Sequence, residues 1–119
     1  VGGASVVIRQ VPWSDDAVRS PVADGYREFL RAEVQRGRSQ LWLFEDGRDR
    51  AHVITRVDHN PTEFVVCHFE GSGLRKFGAV LRDAVRERGL PIRMHTRKPA
   101  IVRMLRPLGA RLEEYVLRA

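Results

Sequence analysis

The chain predicts an α/β (α+β) fold: a mixed, mostly antiparallel sheet of about six strands with helices on both faces, in the order β-α-β-β-β-α-β-α-β. Three observations carry this. Short β-branched and aromatic runs are separated by Asp-Gly and Asn-Pro turns, which is how an antiparallel meander reads. Two longer stretches instead repeat apolar residues at helical spacing. After the third run of the meander, strand-like and helix-like segments alternate, a pattern that packs helices on a sheet.

The elements follow in order. Residues 5–13, "SVVIRQVPW", are β-branched and stopped by Pro12, giving a first strand. "SDDAVRSP" is turn-like, and Ser20 before Pro21 has the form of an N-cap with proline at the first helical position. Val22, Tyr26, Phe29, Leu30 and Val34 then repeat at helical spacing as far as Gly37. Residues 40–45 and 51–58 form a hairpin around Asp46-Gly47, and "NPTEF" turns the chain into a third meander strand, "EFVVCHFE". Leu74, Phe77, Leu81, Ala84 and Val85 make the stripe of a second helix, capped by Gly89. "LPIRMHT" reads as a short strand, "KPAIVRMLRPLG" as a third helix and "ARLEEYVLRA" as a last strand. One domain, residues 1–119, accounts for the whole chain.

Composition narrows the function classes. With 43% hydrophobic and 30% charged residues the chain is of ordinary globular type. No apolar run approaches the roughly 18 residues of a membrane helix, and the first ten residues lack the pattern of a signal peptide, so no membrane association is expected. The single cysteine, Cys67, has no partner for an internal disulfide and fits a reducing compartment. The formal charge of +6 comes from one half of the chain: residues 1–59 hold 9 Arg and 9 Asp/Glu, residues 60–119 hold 12 Lys/Arg and 6 Asp/Glu. Such a half suits anionic partners, nucleic acid among them, through Arg75, Lys76, Arg82, Arg86, Arg97, Lys98, Arg103 and Arg106. Of the 21 basic residues 19 are Arg, a bias that coding composition also produces.

The stretch "HFEGSGLRKF" is where chemistry would sit. Two glycines flank a serine between a strand and a helix, and unpaired N–H groups at a helix N-terminus favour an anion. Glycines in such a turn also serve geometry alone. The histidines His52, His59, His68 and His95 are scattered; His68 and His95 lie in strands leading to the presumed cleft, the best places for a catalytic imidazole. Glu45 and Glu63 sit near strand ends. Cys67 has no His or Asp pairing readable from spacing, and no spacing of Cys, His or carboxylates forms a metal site.

On these residues the chain resembles the GNAT acyltransferase superfamily. In that family the turn after the fourth strand reads Gln/Arg-x-x-Gly-x-Gly/Ala and holds the pyrophosphate of acetyl-coenzyme A. Here His68-Phe69-Glu70-Gly71-Ser72-Gly73 occupies those positions. The resemblance implies cofactor contacts from Gly71, Ser72, Gly73, Leu74 and Arg75. His68 stands where Gln or Arg is usual, and Glu70 adds a carboxylate beside the implied phosphate. Many of these enzymes reprotonate the leaving thiolate with a tyrosine before a Gly-Phe pair. Aligned on Gly109, Lys98, Ile101 and Leu105 fall at that pattern's Asn, Ala and Tyr, and leucine donates no proton. His68, His95 and Tyr115 remain the candidates for proton transfer, with Tyr115 better read as a packed strand aromatic.

"GRSQLWLFEDG", "AHVITRVDH" and "RMHTRKPAIVRMLRPLGARLEEYVLRA" further resemble small GNAT-like proteins of tailed bacteriophages, of the internal virion protein A type. Residues 28–119 carry that likeness. It implies a virion or assembly accessory without catalysis and without a cofactor, located in the virion or the host cytoplasm. Such a protein would act on other phage structural or assembly proteins, or on itself, through an apolar patch around Trp13, Trp42 and Phe44, although each of these aromatics taken singly reads as core sooner than as interface. The alternatives are an N-acetyltransferase using acetyl-coenzyme A, and a basic nucleic-acid-binding module.

Overall fold

The computed structural model describes residues 5–94. Within them the order is strand β1 (Val7–Gln10), a 3-10 turn (Asp15–Ala17), helix α1 (Tyr26–Gln35), strands β2 (Gln40–Glu45), β3 (Arg50–Asp58) and β4 (Glu63–Gly71), helix α2 (Leu74–Glu87) and strand β5 (Ile92–Met94). The five strands form one open sheet in sequence order; the first three pairings are antiparallel and β4–β5 is parallel. The fold is thus α+β with a mostly antiparallel sheet; among the described residues it has five strands rather than about six and two helices, and it does not show the GNAT-like order expected. The expected third helix and last strand lie outside those residues.

The meander forms where its turns place it. Asp46 accepts from Arg48 N at 2.9 Å and Asp49 N at 2.7 Å through Oδ1, an Asx turn that reverses the chain between β2 and β3. Apolar residues of the central strands face both ways, so the sheet is buried on both faces. Leu41, Ile54, Val65 and Cys67 pack with Leu30 of α1, against which Tyr26 and Val34 also lie. Phe44, Ala51, Val53 and Val66 pack with Phe77 of α2, with Leu81 beside them. The stripe is therefore 26, 30, 34 in α1 and 77, 81, 85 in α2, each one helical face at i, i+4, i+8. Phe44 and Phe77 meet at 5.5 Å between ring centroids.

Two local expectations are corrected. Ser20 does not cap α1. That helix begins at Tyr26 behind Gly25, which stands at φ 80°, while Ser20 gives its N–H and its hydroxyl to Glu70. Phe29 is not in the buried stripe: it is 49% exposed and stacks on Tyr26 at 6.3 Å. Ten residues of helix have only one core-facing stripe, and Leu30, one position on, takes it.

Register breaks once. Ile54 pairs with His68 and Thr55 with Val66, leaving Cys67 as an extra residue in β4. That is a β-bulge, and it turns Cys67 and His68 together toward the α1 face. The Tyr26 hydroxyl closes the irregularity by donating to Cys67 O at 2.8 Å. At the opposite end of the sheet, Asp58 accepts from Arg56 and Arg93 at 2.7 Å each, and Arg93 reaches Glu63 at 2.5 Å, tying β3, β4 and β5 together.

Candidate functional site

The glycine turn joins β4 to α2 and lies against the β2–β3 hairpin. Gly71 has φ 137° and Gly73 φ 83°, conformations that favour glycine. A Cβ on Gly71 would stand 2.3 Å from Arg50 O and 2.7 Å from Ala51 Cα, both backbone atoms. A Cβ on Gly73 would stand 2.8 Å from Asp49 Cβ and 2.9 Å from a ring carbon of Phe77. Both glycines are thus required by how closely the hairpin approaches, before any ligand is considered.

Ser72 is held in both directions. Its N–H donates to Arg50 O at 3.0 Å, and its hydroxyl accepts from Arg50 N at 3.3 Å. The first intrahelical bond of α2 follows at once, Phe77 N to Gly73 O at 2.8 Å. Lys76, in the first turn of α2, gives its ammonium to Asp46 Oδ2 and, at 2.8 Å, to Asp49 Oδ2. The hydrogen bond from Lys76 leads in holding the Asp46 carboxyl down at about 2, aided by the N–H groups of Asp49 and Arg48. Asp49 is lowered by Lys76 first and by the Ser72 hydroxyl second, and Lys76 itself is raised by the two carboxylates. The α2 N-terminus, a place that attracts anions, therefore already has two carboxylates of the same chain beside it. Arg75 is exposed, and Leu74 opens the helix.

Glu70 does not face this turn. Strand alternation directs it to the α1 side, where one carboxylate oxygen accepts from Arg19 N and Ser20 N at 3.0 Å, Ser20 Oγ at 2.8 Å and His68 Nε2 at 3.0 Å. Burial pushes this carboxyl up, and the bonds from His68, Ser20 and Arg19 overcome it, bringing the group to about 2. The same segment 19–20 is thereby pinned to β4. His68 is half-buried between Glu70 and the Tyr26 ring, whose centroid lies 6.5 Å away. Its ring nitrogen bonds to the carboxylate that anchors the loop.

The other candidates are dispersed. Glu45 pairs with Arg9 and Arg50, and Glu63 with Arg93. Cys67 is buried, and burial pushes its thiol up, the reverse of what a nucleophile needs. His52 is lowered by burial, then by Arg50, and His59 is exposed. His95, Arg97, Lys98, Arg103, Leu105, Arg106 and Tyr115 lie outside the described residues. Of the basic residues inside, Lys76 is held by Asp46 and Asp49, and Arg82 contacts Asp83. Among the described residues no group of three metal-ligating side chains converges, and no helix is long and apolar enough to cross a membrane.

The aromatics of the expected patch pack inward, Phe44 fully and Trp13 and Trp42 in part. Phe44 is 1% exposed, Trp42 packs against the α2-side cluster and donates its indole N–H to Thr55 Oγ1 at 2.8 Å, and Trp13 packs against the α1-side cluster. Strand alternation turns Trp42 and Phe44 to the α2 face, while Trp13, beyond the end of β1, packs on the α1 side. The residues that sequence reasoning missed are Asp46 and Asp49, which read there only as turn formers, and Ser20. A carboxylate two or three residues from a tight Asp-Gly turn was the available signal, but its ionic partner is 27 to 30 positions away in sequence. Compared with known proteins, the chain matches no family model, no curated protein and no solved structure.

Proposed function

We propose that this chain is a GNAT-like domain of the phage virion or assembly type that acts through protein contacts and uses no acyl-coenzyme A. The observation that carries this reading is the occupied turn. Asp46 and Asp49 stand beside the N-terminus of α2 and hold Lys76, and Ser72 is spent on Arg50. A pyrophosphate arriving there would meet two carboxylates at short range, an unfavourable encounter for like charges. The glycines need no ligand to explain them, since the hairpin backbone and the Asp49 and Phe77 side chains already exclude a Cβ. The GNAT-like part of the reading rests on the strand–glycine turn–helix–strand unit from β4 to β5; the five-strand sheet as a whole does not have the GNAT order.

The test is calorimetric titration of the protein with coenzyme A and acetyl-coenzyme A. No heat at millimolar ligand is expected. Micromolar binding would overturn the proposal in favour of an acetyltransferase, and would call for a screen of amine acceptors. Gly73→Asp is a poor control in that experiment, because its Cβ would collide with Asp49 and Phe77.

A further inference from the structure

Among the described residues strand β1 is an outer edge of the sheet, paired only with β2. All four of its residues are exposed, Val7 at 56% and Ile8 at 41%. Backbone parity fixes which main-chain groups are free. Val11 N donates to Leu41 O at 2.9 Å, so Arg9 and Val7, two and four residues back, also turn their N–H and C=O groups to β2. Val6, Ile8 and Gln10 turn theirs outward, where no described residue pairs with them. Natural proteins guard such an edge with lysine, proline, a bulge or an inward charge. Residues 6–10 hold no lysine or proline, and the pairing with β2 runs without a register shift. The one charge, Arg9, reaches back to Glu45 of β2 at 3.4 Å.

We propose that the outer edge of β1 pairs with β1 of a second copy of this chain, antiparallel about a two-fold axis through Val7. The register follows from parity and charge. Antiparallel pairing sets outward residues against outward ones, so the axis passes through a residue and not between two. An axis at Arg9 would oppose two guanidiniums. An axis at Gln10 would set Ile8 against Pro12, which has no N–H to give. An axis at Ile8 makes one apolar pair and sets Arg9 against Val7. An axis at Val7 sets Val7 against itself and Val6 against Ile8 on either side, three adjacent apolar pairs. It also places Arg9 opposite the Ser5 hydroxyl, an acceptor. This self-matching selects a second copy as the occupant. It covers the two exposed apolar side chains of β1 and gives the N–H and C=O groups of Val6 and Ile8 their partners. So short an edge makes a weak association, in the class of small transient interfaces. The inference rests on the reading that the chain works through protein contacts, and it names the surface of one such contact.

Sedimentation equilibrium of the whole chain is expected to show monomer at about 10 µM and a rising dimer fraction toward about 1 mM. Val7→Lys sets two ammoniums opposite each other at an exposed position. It is expected to weaken the dimer at least about fivefold while the Tm at low concentration stays within about 2 °C. Val7→Cys is expected to form an intermolecular disulfide on mild oxidation, since the two residues meet in the close, non-hydrogen-bonded position. Arg9→Cys, opposite Ser5, is expected to cross-link at least about tenfold more slowly. Cys67 is buried and does not compete. A chain that stays monomeric at millimolar concentration, or equal cross-linking of the two cysteine variants, overturns the proposal. Dimerisation untouched by Val7→Lys overturns it too and assigns self-association to another surface. Binding of coenzyme A in the preceding titration would sink the assembly reading and leave these outcomes untouched, so the two failures are distinguishable.

Discussion

Replacing Gly71 by alanine separates a packing requirement from a ligand requirement. The new Cβ would sit 2.3 Å from Arg50 O and 2.7 Å from Ala51 Cα. Neither contact is the end of a flexible side chain; relief requires β3 and β4 to separate where Ala51 pairs with Gly71. The backbone at φ 137° adds strain of about 1–3 kcal/mol for a residue with a side chain. Overpacking in a well-filled site costs a further ~1–3 kcal/mol, and the lost unfolded-state freedom returns about 0.4–1 kcal/mol. The expected net loss is about 2–5 kcal/mol, a large share of the ~5–15 kcal/mol that holds a domain together. Gly37→Ala is the reference: Gly37 has φ 76° but nothing within 4 Å of its Cβ, so it carries the strain without the collision. Urea unfolding followed by tryptophan fluorescence, compared at equal m-value, reads the difference. If Gly71→Ala costs no more than Gly37→Ala, the packing account of the glycine turn is wrong, and close approach of a ligand regains its force.

Further outcomes follow from the same contacts. Asp46 and Glu70 are both lowered to about 2 in the folded protein, so their contribution to stability is fully present above about pH 4.5 and is lost as pH falls through about 2. Chemical denaturation between pH 6 and pH 2 is expected to show this fall, and Glu70→Gln should make it shallower; an unchanged slope would refute the role given to Glu70. Thr55→Val leaves the half-buried Trp42 indole N–H without its 2.8 Å acceptor, at a cost of about 1–3 kcal/mol by urea titration. Phe77→Ala empties the α2-side cluster beneath Phe44 and should cost about 3–5 kcal/mol, where a loss under about 1 kcal/mol would mean that α2 is not seated as described.

Much of the fold was legible because its determinants are local. Alternating β-branched runs and the Asp46-Gly47 turn placed β2, β3 and β4 almost to the residue, and glycine stops marked the ends of both helices. The start of α1 was misplaced for a nonlocal reason: Ser20 is claimed by Glu70, 50 residues away, and a residue can cap only one partner at a time. How far Trp13, Trp42 and Phe44 face water is likewise nonlocal, because it depends on what packs on each face of the sheet.

The sequence by itself determined the α+β class, the meander and a glycine turn opening a basic helix. It could not determine what that turn is for, since a glycine at positive φ reads the same whether a phosphate or a neighbouring strand lies opposite its missing Cβ. Only the tertiary structure shows what lies opposite, with Arg50 and Ala51 against Gly71 and Asp46 and Asp49 on Lys76. Close approach and charge pairing are properties of distance in space, and residues 20 to 30 positions apart acquire them when the hairpin folds onto α2.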